Sequence, residues 1–439
     1  MGYEELTSWM FNLERFGIKL GLDNISEFLS RIGDPHLGLR AVHVTGTNGK
    51  GSVCAMVASI LKAAGLRVGL YTSPHLVDFR ERISVSGVEI SENDVVRLAE
   101  ELRPEMEAMA HGSKEKQLTF FEFTTALAFK YFAEKHVDIV VAEVGMGGRL
   151  DATNVLWPDV GVITRIGLEH TKYLGKTIPD IAREKAGIVK AGMEIITCEG
   201  RSDALSVIES ACRRKGAPLR VFGRDFRAFG TAISLDGTVF HYEGNEDLSG
   251  LRTRLIGRHQ AENAAAAVAA IEGLRRKGFE VGSEAIYRGL DSARWPGRLE
   301  VVSRAPLLIL DGGHNPSGVE TAASVLHELH LTPLRYVVGC MEDKDASGII
   351  RALAPTAASL YVTQVSNRRA LAVDKLAEIA KREFDGEVSI HNEASEAIEA
   401  ALKGTGGSGV CVIGSLYLVG EAISWLRTKG NLHGLSHKL

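Results

Sequence analysis

A lysine surrounded by small residues stands where an apolar run gives way to a helical pattern. The segment 41–53 reads AVHVTGTNGKGSV, with Gly49, Lys50, Gly51 and Ser52 near its centre. Backbone N–H groups at a helix start carry partial positive charge, and glycines allow a phosphate to approach them closely. The lysine adds a full charge for the outer phosphates of a nucleotide, and the serine hydroxyl can lie near a metal ion. A glycine-rich turn that binds nothing is the alternative, but the lysine favours phosphate binding.

The spacing of this segment departs from the standard phosphate-loop pattern, G-x-x-x-x-G-K-[ST]. Val44 stands where the first glycine of that pattern is expected, and Gly51 is inserted between Lys50 and Ser52. A strict pattern search therefore misses the segment, although strand, glycine turn and helix start follow one another in the order that anion binding requires.

Other residues that could do chemistry also follow apolar runs. Glu143 closes the run DIVVAEV, and a carboxylate at the end of a parallel strand beside a phosphate loop is the expected place for a magnesium ligand. A charge that merely emerges from the sheet is the alternative. By local chemistry alone, Ser73 in TSPH is typical of a turn cap, His170 in EHT of a surface or core histidine, and Lys185 in AREKAGIVK of a solvated lysine.

Strand-like and helical patterns alternate through most of the chain and predict the elements that position these residues. Continuous apolar runs such as LRAVHVTGT, LRVGLYTS, VDIVVAEVG and DVGVITRIG are typical of a parallel sheet covered on both faces. Between about 220 and 250 the pattern alternates around Asp236 and Gly237, which predicts a hairpin. After DSARWPGRLEVV the strand and helix alternation restarts in APLLILDGG, LRYVVGC, SLYVTQV, EVSIHN and GVCVIGS.

We therefore predict an α/β protein of two domains. Residues 1–295 would form a phosphate-loop ATP-binding domain with a mostly parallel sheet, and residues 296–439 a smaller, Rossmann-like α/β domain. A chain of 439 residues is longer than one hydrophobic core usually supports, which agrees with this division.

Composition limits the classes of partner and compartment. Basic and acidic residues nearly balance at a net charge of −4, which gives no reason to expect nucleic acid or an anionic membrane as a partner. No apolar run approaches the ~18 residues of a membrane span, and the start MGYEELTSWMFNLERFG has acids where a signal peptide is basic. Five scattered cysteines without a C-x-x-C pair predict small buried residues in a reducing cytoplasm.

The phosphate loop is the first of a series of motifs. It is followed by YTSPHLVDFRERISVSG, LTFFEFTTALAF, EVGMGGRLDATN, EHTKYLG, REKAGIVK, HQAENAAAA, WPGRLE and DGGHNP, from about residue 43 to 316. In this order the series resembles the folylpolyglutamate synthase and dihydrofolate synthase branch of the Mur ligase superfamily, and together the motifs are highly specific. The departures are small, because Met146 stands where leucine is frequent and Glu169 where aspartate is frequent.

The resemblance implies an ATP-dependent ligase that joins L-glutamate to a pterin carboxylate through an acyl phosphate and releases ADP and phosphate. It implies two Mg²⁺ ions and four catalytic residues: Lys50, Glu143, His170 and Lys185. The implied metal ligands are Ser73, Glu143, His170 and Lys185. The family's lysine at position 185 is carbamylated, and a carbamate is an anion whose oxygens can help to hold magnesium. The lysine must first lose its proton, which a desolvated or cation-rich pocket makes easier.

The resemblance also assigns the substrate contacts. Besides the phosphate loop, the implied ATP contacts are Asn263, Arg298, Asp311 and His314. The implied pterin contacts are Thr119, Phe120, Phe121, Glu122, Leu150, Asp151 and Ala152, although plain helix core is expected of at least one phenylalanine. A site composed of both domains implies closure over ATP, which excludes water from the acyl phosphate. The family suggests a cytoplasmic monomer whose partners are small molecules.

Two other functions fit part of this pattern. Peptidoglycan-precursor Mur ligases carry a sugar-nucleotide domain ahead of the ATP loop, whereas 44 residues precede Thr45 here. A regulatory ATP-binding module would not need Glu143, His170 and Lys185 together with a second domain. The sequence leaves open whether dihydropteroate, reduced folate or another pterin is the substrate, and how long a glutamate tail becomes.

Overall fold

The computed structural model describes residues 2–13, 17, 19–113, 115–403 and 409–430, and their strands form three sheets of eight, three and six members. The strands are β1 (Ala41–Thr45), β2 (Val68–Tyr71), β3 (Ile83–Val85), β4 (Val88–Glu89), β5 (Ile139–Glu143), β6 (Val160–Ile163), β7 (Glu194–Thr197), β8 (Leu219–Val221), β9 (Arg227–Ser234), β10 (Gly237–Glu243), β11 (Asp247–Thr253), β12 (Glu300–Arg304), β13 (Leu307–Leu310), β14 (Leu334–Val338), β15 (Ala357–Thr363), β16 (Glu387–His391) and β17 (Val410–Ile413).

The helices of the described residues are α1 (Tyr3–Asn12), α2 (Asp23–Arg31), α3 (Lys50–Ala63), α4 (Glu92–Ala110), α5 (Phe120–Glu134), α6 (Thr171–Leu174), α7 (Ile178–Lys185), α8 (Ser202–Lys215), α9 (Arg258–Arg276), α10 (Ser283–Ser292), α11 (Pro316–Glu328), α12 (Ala346–Leu353), α13 (Val373–Glu383), α14 (Ala394–Lys403) and α15 (Leu416–Thr428). Short 3₁₀ turns lie at Phe79–Arg82, Ala152–Val155, Ala186–Ile188 and Ala354–Thr356.

The large sheet has the spatial order β4-β3-β2-β5-β1-β6-β7-β8, and neighbours from β2 to β8 run parallel. The edge strands β3 and β4 are antiparallel. Helices α3 and α9 cover one face of the sheet, and α4 and α5 cover the other, so that β1 and β5 are buried throughout. The carboxyl ends of β1, β2, β5 and β6 therefore meet at one edge, where a ligand site is expected in such sheets.

Small side chains bring helix α9 close to this sheet. Residues 264–267, all alanine, are fully buried and belong to the same core as Val57 of α3 and Val162 of β6. This agrees with close helix packing as the structural role of the alanine run.

The predicted hairpin is formed by β9 and β10, which pair antiparallel across Asp236 and Gly237. Strand β11 adds a third antiparallel member. The sequence did not predict β11, because DLSGLRT is mostly exposed and alternates only weakly.

The third sheet has the order β12-β13-β17-β14-β15-β16, and its strands run parallel apart from the antiparallel edge strand β12. The five apolar runs that predicted strands after residue 295 correspond to β13–β17. The half-buried β12, with the sequence EVVSR, was missed. The predicted α/β class with mostly parallel sheets is confirmed, whereas the boundary near residue 295, between α10 and β12, stays a prediction.

Two further observations bear on composition. All five cysteines are buried free thiols, as predicted. None of the helices in the described part of the chain combines the length and the apolarity that a membrane crossing requires.

Candidate active site

A cavity of about 950 Å³ lies where the carboxyl edge of the large sheet faces the third sheet. Its walls combine the phosphate loop (residues 46–52), the segment after β2, the start of α5 and the segment after β13. Of the predicted site residues, all except Lys185 line it: Gly49, Lys50, Gly51, Ser52, Ser73, Thr119, Phe120, Phe121, Glu122, Glu143, Leu150, Asp151, Ala152, His170, Asn263, Arg298, Asp311 and His314.

The phosphate loop is closed on itself by its lysine. Lys50 is the first residue of α3, and its Nζ donates to the carbonyl oxygens of Gly46 and Thr47, each at 3.1 Å. Gly49 caps the helix with a φ of 94°, a conformation that favours glycine. Backbone N–H groups at this helix start therefore face the cavity with a lysine charge beside them, which is the arrangement of an anion site.

Close packing explains both glycines around this lysine. A Cβ on Gly49 would lie 2.6 Å from Asn263 Oδ1, and a Cβ on Gly51 would lie 2.5 Å from the indole Nε1 of Trp295. The glycine inserted into the standard pattern is thus the residue that allows Trp295, in the segment before β12, to touch the loop.

Glu143 and Ser73 meet at the ends of β5 and β2. Glu143 is 5 % exposed, and its Oε2 accepts a hydrogen bond from the backbone N–H of Ser73 at 3.2 Å. Burial raises the pKa of Glu143, against the charge of Lys50, which lowers it. A dication beside the carboxylate would strengthen its ionised form.

The donors of this pair fit magnesium. Mg²⁺ prefers hard oxygen ligands and takes one or two carboxylates together with substrate phosphates. Glu143 and the Ser73 hydroxyl supply such oxygens beside the phosphate loop. No group of three or more His, Cys, Asp or Glu side chains suited to a metal occurs in the described ranges, so phosphate oxygens and water would have to complete the coordination.

Lys185 is not the solvated lysine that its local pattern indicated. It is 1 % exposed, and its Nζ donates to Glu169 Oε1 and to the carbonyl of Gly46, both at 2.7 Å. Burial lowers the pKa of Lys185 to about 8, against the charge of Glu169. Burial would raise the pKa of Glu169, but the charges of Lys185 and Lys50 outweigh it and bring the pKa to about 2.

The predicted second metal site has an ammonium where it needs an anion. In its unmodified form Lys185 repels a dication, so the pair of His170 and Lys185 does not fit a metal as it stands. His170 is the residue that precedes α6, with a φ of 45°, and burial lowers its pKa. Glu169, which replaces the frequent aspartate, reaches Lys185 and lines the cavity itself.

The predicted pterin contacts lie at the amino end of α5 and after β5. Thr119 and Glu122 form a capping box in which Glu122 Oε2 accepts from the N–H and the hydroxyl of Thr119, both at 2.8 Å. Asp151 accepts hydrogen bonds from the N–H groups of Thr153 and Met146 at 3.0 and 2.9 Å. Both acids therefore shape the backbone around the cavity as well as lining it.

Phe120 and Phe121 supply an aromatic wall. Phe120 stacks on Phe11 at 5.2 Å between ring centroids and is largely buried, whereas Phe121 is half-buried against Tyr71 at 6.1 Å. The core role expected of at least one phenylalanine of TFFEF is met by Phe123, which is fully buried, whereas Phe120 and Phe121 line the cavity.

The wall from the C-terminal part is organised by Asp311. Its two carboxylate oxygens accept from the N–H groups of Leu299 and Gly313 at 2.9 and 2.8 Å. His314 Nδ1 donates to a backbone carbonyl, since that oxygen can only accept, and burial lowers the pKa of this ring to about 4. Asn315 Nδ2 then donates to Asn48 Oδ1 at 3.1 Å, which joins this wall to the phosphate loop.

Several lining residues were missed by sequence reasoning. Arg82 and Gln260 lie within the motifs YTSPHLVDFRERISVSG and HQAENAAAA, so these motifs could have identified them as site residues. Other polar lining residues follow third-sheet strands without any recognised motif: Lys344, Arg369 and Ser415.

Comparisons with known proteins agree with this architecture. Residues 44–271 match the Mur ligase middle domain, and residues 297–416 match the Mur ligase glutamate ligase domain. A dihydrofolate synthase/folylpolyglutamate synthase from Bacillus subtilis is 37 % identical over 95 % of this chain and 98 % of its own. The chain belongs to the dihydrofolate synthase/folylpolyglutamate synthase family. The resemblance inferred from the motifs is therefore confirmed, and members of the dihydrofolate synthase/folylpolyglutamate synthase family are ATP-dependent ligases.

Solved structures of the family have the same fold. Mycobacterium tuberculosis folylpolyglutamate synthase complexed with ADP gives a TM-score of 0.90 at 32 % identity, covering 95 % of this chain and 97 % of that one. An Escherichia coli relative in complex with DHPP and ADP gives 0.86 at 32 % identity, covering 97 % and 98 %. Both lie within the dihydrofolate synthase/folylpolyglutamate synthase family, and the fold class is confirmed over nearly the whole chain.

Proposed function

We propose that this protein joins L-glutamate to the carboxylate of dihydropteroate, of a reduced folate or of both, at the expense of ATP. The observation that carries the proposal is the single cavity that combines a phosphate loop, a buried carboxylate and an aromatic wall with residues after β13. The family supplies the reaction class, and these groups supply what each substrate needs.

In the first step a carboxylate oxygen of the pterin acid attacks the γ-phosphorus of ATP. The bond from that phosphorus to the β,γ-bridging oxygen breaks, and ADP leaves, so that an acyl phosphate remains. Phosphoryl transfer of this kind needs alignment and charge neutralisation more than covalent help. Lys50 and the N–H groups at the start of α3 would hold the phosphates in line with the acid.

In the second step the free amine of glutamate attacks the acyl carbon. The carbon–oxygen bond to phosphate breaks, and the amine proton passes to the departing phosphate, which leaves as HPO₄²⁻. Water must be kept out because it would hydrolyse the acyl phosphate. The walls on both sides of the cavity support closure during this step, with Asn48 and Asn315 already joined across it.

Glu143 and Ser73 would hold Mg²⁺, which screens the phosphate charge when it is bound. For the second predicted ion we propose that Lys185 is carbamylated. Its free amine would add to CO₂ and lose a proton, which exchanges the cation for an anion. Its burial and lowered pKa support this chemistry, and Glu169 would lose its ion-pair partner.

Native mass spectrometry of bicarbonate-equilibrated protein tests the carbamate directly. A mass increase of one CO₂ that is absent from Lys185→Arg is expected. Unmodified Lys185 in active enzyme saturated with magnesium would contradict the hypothesis.

The reaction itself is tested by ADP release from purified protein. Release should require L-glutamate together with dihydropteroate or tetrahydrofolate, assayed side by side, and mass spectrometry should show the pterin acid enlarged by one glutamate. ADP release that ignores both cosubstrates would instead identify a nucleotide-hydrolysing module. We propose further that the protein acts as a cytoplasmic monomer on small molecules, without nucleic acid or membrane partners.

A further inference from the structure

Arg82 is a buried cation in the cavity to which the motifs assigned no role. It is the last residue of the 3₁₀ turn Phe79–Arg82, is 7 % exposed and lines the cavity together with Ser73, Phe120 and Glu143. A buried cation that lines a substrate cavity acts strongly on an anion bound beside it, because water screens the interaction less there.

The segment that carries Arg82 is held by its own acids. Glu81 accepts hydrogen bonds from the backbone N–H groups of Leu76, Val77 and Asp78 at 2.6, 2.9 and 2.8 Å. The backbone carbonyl of Arg82 accepts from the N–H of Thr72 at 3.0 Å, at the end of β2. The position of Arg82 is therefore fixed before any substrate binds, which is what a preorganised cation requires.

Two rings orient the guanidinium. Arg82 Nε donates to His75 Nδ1 at 2.8 Å, and the guanidinium carbon lies 5.2 Å from the centroid of the Phe120 ring. An arginine N–H can only donate, so His75 Nδ1 is the acceptor and the ring is neutral with its proton on Nε2. His75 and the cation–π contact with Phe120 thus help to set the plane of the guanidinium.

Arg82 lies beside two parts of the cavity. Its guanidinium faces Phe120 in the aromatic wall proposed for the pterin, and it lines the same cavity as Glu143 and the phosphate loop. In the proposed reaction the acid group of the pterin must approach the γ-phosphate. Both groups are anions, and a cation beside them reduces their repulsion as they approach.

We propose that Arg82 binds the reacting carboxylate of the pterin acid and that His75 positions it. The guanidinium fork matches the two oxygens of a carboxylate, so it would aim one oxygen at the γ-phosphorus. The same contact would remain with the acyl phosphate after transfer. This inference rests on the proposed function, since it names a contact of the same substrate.

The test compares binding of dihydropteroate with that of its carboxamide analogue, which has the same rings and no charge. Wild-type protein should bind the acid more tightly than the amide. Arg82→Ala should weaken binding of the acid by about tenfold or more and leave that of the amide nearly unchanged, because charge-assisted hydrogen bonds are worth that much. Guanidinium ion should partly restore ligation by Arg82→Ala.

His75 is tested by the same ratio of affinities. His75→Asn keeps an acceptor for Arg82 Nε and should retain the preference for the acid, whereas His75→Leu should lose part of it. Arg80→Ala is the matched control, because Arg80 belongs to the same turn but pairs with Asp78 at 2.9 Å outside the cavity. It should keep the wild-type preference.

If Arg82→Ala weakens binding of the acid and of the amide equally, this arginine only supports the loop. If Arg82→Ala binds both compounds as the wild type does, the proposal is overturned as well. If Arg82→Ala gives either result while the wild-type protein ligates normally, only this inference is refuted. Wild-type protein that forms no glutamyl product refutes the proposed function on which it rests.

Discussion

At the scale of single residues, Lys50 and Glu143 place one positive and one negative charge beside the proposed phosphates. Lys50 is held by two carbonyl oxygens of its own loop, and Glu143 by one backbone N–H. Neither side chain supports the apolar core on which stability depends. Their replacement should therefore separate chemistry from folding.

Lys50→Ala should lower kcat/KM by about 10²–10³-fold, the usual loss when one preorganised charge contact to a transition state is removed. Thermal unfolding should change little, because no core packing is lost. Steady-state assays at saturating ATP and a melting curve measure the two effects. Near-normal turnover by the folded variant would show that the loop does not bind the transferring phosphate.

Glu143→Gln should shift the magnesium dependence of the reaction to higher concentrations and lower the rate. A neutral amide is a weaker ligand for a hard dication than a carboxylate. The initial rate measured as a function of Mg²⁺ concentration checks this. Glu199→Gln is the control, because Glu199 lines the cavity without a proposed metal role. If the two magnesium titrations coincide, Glu143 is not a ligand.

At the scale of elements, the phosphate loop and the segment before β12 are fitted to each other. The contact of Gly51 with Trp295 explains an inserted glycine that the motif pattern alone could not explain. The 3₁₀ turn that carries Arg82 is likewise fixed by the capping residue Asp78, whose carboxylate also accepts from Tyr3 at 2.8 Å.

Gly51→Ala should weaken ATP binding, since its Cβ would lie 2.5 Å from the indole of Trp295. Overpacking of this kind costs about 1–3 kcal/mol. Trp295→Leu should relieve the clash, so that the double variant binds ATP better than Gly51→Ala alone. Additive losses of ATP affinity in the double variant, measured by calorimetry, would mean that the two residues do not interact.

Asp78→Asn tests whether the carboxylate of Asp78 stabilises the turn, because that stabilisation should depend on pH. Burial would raise the pKa of Asp78, but bonds from Arg80 and Tyr3 outweigh it and lower the pKa from 3.8 to about 2. The folded carboxyl binds its proton more weakly than the unfolded one, so its stabilisation is present above pH 3.8 and is lost as the pH falls towards 2. Partial exposure limits the effect to about 1 kcal/mol.

Urea unfolding at several pH values from neutral down to about pH 2 measures how much Asp78 contributes to the free energy of unfolding. The gap in free energy of unfolding between wild type and Asp78→Asn should narrow as the pH falls. A gap that is independent of pH would show that the ion pair contributes nothing measurable.

At the scale of the whole molecule, Asp311 ties together two segments of the wall that the third sheet contributes. It accepts from Leu299 N–H before β12 and from Gly313 N–H after β13. Asp311→Asn replaces one acceptor by an amide donor and leaves a buried N–H unpaired, which should cost about 1–3 kcal/mol of stability. In the same variant KM for ATP should rise and the melting temperature should fall. No change in either quantity would show that these hydrogen bonds of Asp311 do not support the cavity.

The strands and the site residues were predictable to different degrees. The apolar strands β1, β5, β14 and β17 were recognised because both of their faces are buried, which leaves continuous apolar runs. Helices α1 and α2 were missed, although α2 is amphipathic with Ile25, Phe28 and Leu29 buried on one face. The half-exposed strands β11 and β12 were missed because their sequences alternate only weakly.

Among the site residues, the motifs predicted many that line the cavity, but not which groups their side chains bind. The ion pair of Lys185 with Glu169 joins residues from different elements, and no local spacing encodes it. The same holds for Arg82, whose partners His75 and Phe120 are brought together only by the fold.

Trp295 also gives the protein an intrinsic optical reporter. Of the four tryptophans, Trp157 is 69 % exposed, whereas the half-buried Trp295 lies against the phosphate loop. Indole emission depends on the polarity and charge around the ring, so a nucleotide that occupies the loop should change the fluorescence of this one residue. Occupancy of the loop can then be followed without a label and without catalytic turnover.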